Sequence, residues 1–150
     1  MEAYNAEKAA KVWQRVLGEA PSGTEQWGMQ QLIMDAFTEA ATYSSLSRRF
    51  QGKPAATFRQ LAEEKQKQAA CLRGICILAE GTCPAAKNAP LPHGTTEAVL
   101  RRCYGQECRC IAEYERRSSD PEYGPVYARL AAQERELCCQ LLALLGGLQK

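Results

Sequence analysis

A single histidine, His93, occurs in 150 residues, and its scarcity excludes more chemistry than any other feature of the composition. Multi-histidine metal sites are ruled out, and any Ser-His-Asp triad would depend on that one side chain. No run approaches the roughly 20 consecutive apolar residues that span a bilayer, so no membrane helix is expected. The opening MEAYNAEKAAKVWQRVL has no basic stretch followed by an apolar one, which points to the cytoplasm. Aromatic residues are sparse and the formal charge is only +2. The basic residues are scattered, in pairs such as Arg48-Arg49, Arg101-Arg102 and Arg116-Arg117. Such pairs read as solvated helix faces, so neither nucleic acid nor membrane is expected as a partner. The strict alternation of a strand is absent, and so is a Gly-rich phosphate loop.

Cysteine, by contrast, is abundant: eight residues, most of them inside helical patterns. Without a secretory leader they read as reduced core thiols, small hydrophobes in a cytoplasmic protein. Zinc would have to use Cys71, Cys76 and Cys83, or Cys103, Cys108 and Cys110. Neither set has the spacing of a structural zinc site. Cys138 and Cys139 are vicinal, and helical neighbours diverge by about 100°, which argues against a bond between them.

Helical periodicity accounts for nearly the whole chain. A short segment from Ala6 to Leu17 reads as an arm, and residues 1–24 as arm plus linker. Ser22-x-x-Glu25 has the form of a capping box for the first long helix, which stops near Phe50-Gln51-Gly52. Pro54 is expected to open the second helix, which ends near Glu80-Gly81. The stretch TCPAAKNAPLPHG carries three prolines and forms the one long connection. The third helix is expected from Thr95 or Thr96 to Arg117. The fourth is expected to open with Asp120 as cap and Pro121 as first residue, and to stop near Gly146-Gly147.

Three glutamates fall where the seams of these helices call for apolar side chains. The second helix reads Leu61, Glu64, Gln68, Cys71, Ile75; the third Leu100, Tyr104, Glu107, Ile111, Tyr114; the fourth Val126, Leu130, Glu134, Leu137, Leu141. A buried carboxylate is costly unless paired, protonated or metal-bound, so the three suggest a shared polar site.

Glu64 and Glu134 sit in segments that resemble the Glu-x-x-His motif of ferritins and rubrerythrins, with Lys67 and Leu137 standing where that family has histidine. Glu107 followed by Tyr114 resembles its Glu-plus-Tyr motif. Tyr43 places the matching glutamate position at Ala36, with Glu39 three residues further on. The resemblance spans residues 28–146. It implies an all-α, antiparallel ferritin-like four-helix bundle over residues 25–150, with a long connection between the second and third helices. Three of six ligand positions are kept (Glu64, Glu107, Glu134) and three are lost (Ala36, Lys67, Leu137).

The resemblance therefore implies a degenerate bacterial member that has lost its di-iron centre and acts in binding or structure. No catalytic residue or organic cofactor is assigned. Lys67 is expected to replace the cation's charge, and Tyr43 and Tyr114 to lie beside the glutamates. Iron, manganese or calcium on Glu64, Glu107 and Glu134, with Glu39 as an extra ligand, is the alternative set. It would make the chain a rubrerythrin- or ferroxidase-like oxidoreductase. Thiol redox or zinc chemistry at the third helix is a further reading, and a homodimer face is left open.

Overall fold

A computed structural model describes residues 28–83, 85 and 90–148. These contain four helices and no strand: α1 (Met29–Ser47), α2 (Gly52–Glu80), α3 (Thr96–Arg117) and α4 (Gly124–Leu148). The all-helical class expected from the periodicity is thus observed. The N-terminal arm, the Ser22/Glu25 capping box and the boundary at residue 24 lie outside the described residues. No described helix is long and apolar enough to cross a membrane. The described residues fall into two compact units, 28–100 and 101–148.

In the first unit α1 and α2 pack on one another through the four-residue link 48–51. The link turns sharply because Gly52 takes φ +67°, a left-handed value that favours glycine. Pro54 follows in the first turn of α2, where a missing N–H costs no helical hydrogen bond. The rings of Phe50 and Phe58 stack across the junction at 5.5 Å. Arg49 Nη1 donates to the Gly94 carbonyl at 2.9 Å and to Thr96 Oγ1 at 3.3 Å, which ties the link to the start of α3. α2 ends in the left-handed Gly81, whose N–H reaches the Ile77 carbonyl at 2.8 Å. The first turn of α3 belongs to this unit and is capped by Thr95 Oγ1, which accepts from Ala98 N at 3.1 Å.

The second unit holds the rest of α3, the turn 118–123 and α4. Here the sequence expectation needs correction, because Pro121 does not open α4. Asp120 Oδ1 accepts from the N–H groups of Glu122 and Tyr123, both at 2.8 Å, and so caps a separate turn at 121–123. The helix begins at Gly124, where the absence of a Cβ lets the backbone lie against the Ser118 carbonyl. At the other end α4 passes through Gly146 and Gly147, close to the expected stop. Neither glycine has positive φ, and the helix runs to Leu148, the last described residue. Tyr114 stacks on Tyr127 at 6.4 Å, the Arg117 guanidinium lies 5.7 Å from the Tyr127 ring, and Arg135 pairs with Glu115, so α3 and α4 contact each other directly.

Candidate functional site

The buried polar side chains of each unit are few, and the helical phase decides which they are. On α2 the inward face runs Leu61, Lys65, Gln68, Leu72, Ile75, all buried. This corrects the expected seam. The Glu64 side chain is 41% exposed and that of Lys67 is 75% exposed, the two forming a loose surface pair at 4.0 Å. Both candidate frames share Leu61, Gln68 and Ile75, and they differ in whether Cys71 or Leu72 turns inward. Burying Leu72 removes more apolar area from water, and Ala62 and Ala69 lie on the same side. Lys65 follows Leu72 inward while Glu64 follows Cys71 outward.

Lys65 is fully buried, and its Nζ donates to Gln68 Oε1 at 3.2 Å. From α1 the same unit buries Ala36 almost completely, Tyr43 completely, and Glu39 at 7% exposure, so Glu39 turns inward as the sequence allowed.

In the unit 101–148, Glu107 on α3 and Glu134 on α4 are fully buried, as their seams predict. Tyr114 and Leu137 are buried with them. Two cysteines lie beside these carboxylates. Cys108, half-buried on α3, Cys138, buried on α4, and Tyr104 act on one another's protonation. The Cys138 hydrogen bond brings the Cys108 thiol down to about 7, aided by Tyr104 and opposed by burial and by the charge of Glu134. Cys138 is pushed up, first by that same hydrogen bond, then by burial and by the charges of Cys108, Glu107 and Glu134. Tyr104 is raised as well, chiefly by the Cys108 charge and then by burial.

A second thiol pair closes the end of α2. Cys76 Sγ lies 3.4 Å from the Thr82 carbonyl, and burial first, then Cys83, raises its pKa. All eight cysteines are free thiols. Sequence reasoning missed two features. Lys65 was hidden by the choice between two equally periodic seams, and the partnership of Cys108 with Cys138 spans a turn that no local spacing encodes. Among the described residues, no group of three or more His, Cys, Asp or Glu side chains is arranged to hold a metal ion. No family model, curated protein or solved structure matches the chain.

Proposed function

We propose that the chain is a ferritin-like four-helix protein, antiparallel within each helix pair, that has exchanged its di-metal chemistry for a role in binding or structure. The short link 48–51 supports the antiparallel reading of α1 and α2. For α3 and α4 the support is the short connection 118–123 and the stacking of Tyr114, near the end of α3, on Tyr127, near the start of α4.

The observation that carries the functional reading is the fully buried Lys65 beside an outward Glu64. A di-metal centre requires α2 to turn a carboxylate inward, and here an ammonium occupies the inward face. The donors of the unit 28–100 do not fit such a centre: Ala36 has no ligand atom, Glu64 faces water, and the inward side chain on α2 is the amine of Lys65. In the unit 101–148, Leu137 likewise offers no donor. Positive charge on a side chain then does the work that a metal ion does in the ferritins this chain resembles, and the correction from Lys67 to Lys65 strengthens that substitution.

The test is elemental analysis of untagged protein from iron- and manganese-supplemented cells. No stoichiometric metal is expected, and two iron ions per chain would overturn the reading. Sedimentation of the same sample decides whether binding means self-association.

A second reading, an oxidoreductase with an atypical carboxylate site, is favoured by the complete burial of Glu107 and Glu134. It requires oxygen or peroxide consumption that depends on added Fe(II) and disappears in Glu107→Ala.

A further inference from the structure

We propose that Cys76 and Cys83 form a redox-active dithiol at the end of α2. Cys83 takes up a small disulfide of the glutathione type, and Cys76 resolves it to an internal disulfide that staples α2 to the connection after it. The inference goes beyond the metal question and does not depend on how that is answered.

The backbone carries the argument. Seven residues along an unbroken α-helix span about 10 Å, beyond the reach of a disulfide. The chain reverses before that distance is run. Gly81 takes φ +81° and its N–H returns to the Ile77 carbonyl at 2.8 Å, which folds the following residues back over the last turns of α2. There the Cys76 S–H donates to the Thr82 carbonyl oxygen at 3.4 Å. That carbonyl belongs to the peptide bond entering Cys83, and the bond is trans. In a trans peptide the oxygen and the next Cα lie on the same side, about 2.8 Å apart by standard bond lengths. The Cys83 Cα is therefore no more than about 6 Å from the Cys76 sulfur. Rotation about χ1 of Cys83 sweeps its sulfur through the space between, and the segment that must yield lies outside the helix.

Access orders the two steps. Cys83 is half-buried and open to a small molecule, whereas Cys76 is 3% exposed. Burial, followed by the influence of Cys83, raises the Cys76 thiol, so the inner sulfur keeps its proton until the outer one has reacted. Cys71 is half-buried on the same helix, but five residues turn it about 140° away from Cys76. It has no part in the pair.

The chemistry balances. The Cys83 thiolate attacks one sulfur of the small disulfide, the S–S bond breaks, and one small thiolate leaves and takes up the proton that Cys83 lost. Cys83 now carries the other half as a mixed disulfide. The Cys76 sulfur attacks the Cys83 sulfur, and the second small thiolate leaves with the Cys76 proton. Two protein thiols have been oxidised to one disulfide, and one small disulfide has been reduced to two thiols. An external dithiol reverses the exchange.

The test uses the full chain, reduced, treated with oxidised glutathione, alkylated and digested with trypsin. Cleavage after Arg73 and Lys87 releases one peptide that holds Cys76 and Cys83 and no other cysteine. Glutathione on the exposed Cys139 therefore does not disturb the readout. The expected product is that peptide unalkylated and lighter by two hydrogens. A glutamyl endopeptidase then cuts after Glu80, between the two cysteines, and the halves should stay joined until dithiothreitol is added. In Cys76→Ser the reaction should stop with glutathione on Cys83, with circular dichroism confirming that the variant is folded. Two outcomes in the wild-type chain overturn the proposal without reference to any variant. One is alkylation of both cysteines. The other is a stable glutathione adduct on Cys83 with Cys76 alkylated, which would show that the inner sulfur does not reach it.

Discussion

Lys65 and Glu64 are consecutive on α2, yet the ammonium is fully buried and the carboxylate side chain is 41% exposed. Adjacent helical positions point about 100° apart, so a helix that turns one of them to the core must turn the other away. The pair thus fixes the phase of α2, and with it the sign of the charge that the helix delivers inward.

Replacing Lys65 tests that phase. Lys65→Met keeps most of the volume but leaves Gln68 Oε1 without the donor now 3.2 Å away. An unsatisfied buried acceptor costs about 1–3 kcal/mol. Lys65→Ala adds a cavity and is expected to lose about 2–5 kcal/mol, as large-to-small core substitutions do. Glu64→Ala, which removes only a surface pair at 4.0 Å with Lys67, should stay within about 0.5 kcal/mol. Urea unfolding of the three variants reads the order directly, and a Glu64 variant weaker than Lys65→Met would show the phase to be wrong.

Two glycines should respond in opposite directions to the same substitution. Gly124→Ala drives its new methyl into the Ser118 carbonyl oxygen, a backbone atom that cannot swing aside, so α4 must shift at its first turn and stability falls. Gly74 lies inside α2, where a Cβ meets nothing within 4 Å among the described residues. Gly74→Ala is expected to raise stability by about 0.5–1 kcal/mol through helix propensity. Thermal midpoints moving the same way for both would contradict the placement of one of them.

Glu113 gathers the end of α3. Its carboxylate accepts from Arg117 Nε at 2.8 Å and from Arg116 Nε at 3.1 Å. Burial works to lower the Arg117 pKa, but the hydrogen bond and charge of Glu113 outweigh it and the net shift is upward. Because Glu113 is largely buried, Glu113→Gln is expected to lose about 1–2 kcal/mol. Arg117→Met should lose more, since it also removes the guanidinium from the Tyr127 ring 5.7 Å away. If Glu113→Gln unfolds at the wild-type urea midpoint, the cluster contributes nothing to stability.

Which parts of this architecture were legible in the sequence follows from the range of the interactions involved. Periodicity placed Glu107, Glu134, Tyr43 and Tyr114 inside because each lies on a seam whose flanking apolar residues admit one phase. The helix ends at Glu80 and Arg117 were set by local glycine, proline and turn signals, whereas the first helix stops at Ser47, three residues before the expected Phe50-Gln51-Gly52. In α2 the charged run from Glu63 to Lys67 carries no apolar residue, so two phases compete and only the larger burial of Leu72 over Cys71 separates them. The start of α4 was misplaced because the close approach of Gly124 to Ser118 is a tertiary fact. The pairing of Cys108 with Cys138 depends on how α3 and α4 align, which no spacing within either helix records.

The same pair gives the stability a pH dependence whose sign can be worked out. The Cys108 thiol is lowered to about 7, first by its hydrogen bond from Cys138, against an ordinary value of about 8.5. Its contribution is therefore present above the unfolded value and is lost as pH falls through about 7. Cys138 is raised, first by the same hydrogen bond, so its contribution is complete below the unfolded value and is lost at higher pH. Between about pH 7 and 8.5 the unfolded chain holds the extra proton and stability should rise; above that range the folded chain holds it and stability should fall. Alkylation of Cys108, followed by mass spectrometry across this range, isolates the cause. The rate should reach half its plateau near pH 7 in the wild-type chain, and Cys138→Ala should move that midpoint up towards the ordinary thiol value, because the donor that holds the thiolate is gone. A wild-type midpoint already near about 8.5 would mean that Cys138 does not donate to Cys108 in solution, and the rise in stability with pH would be lost with it.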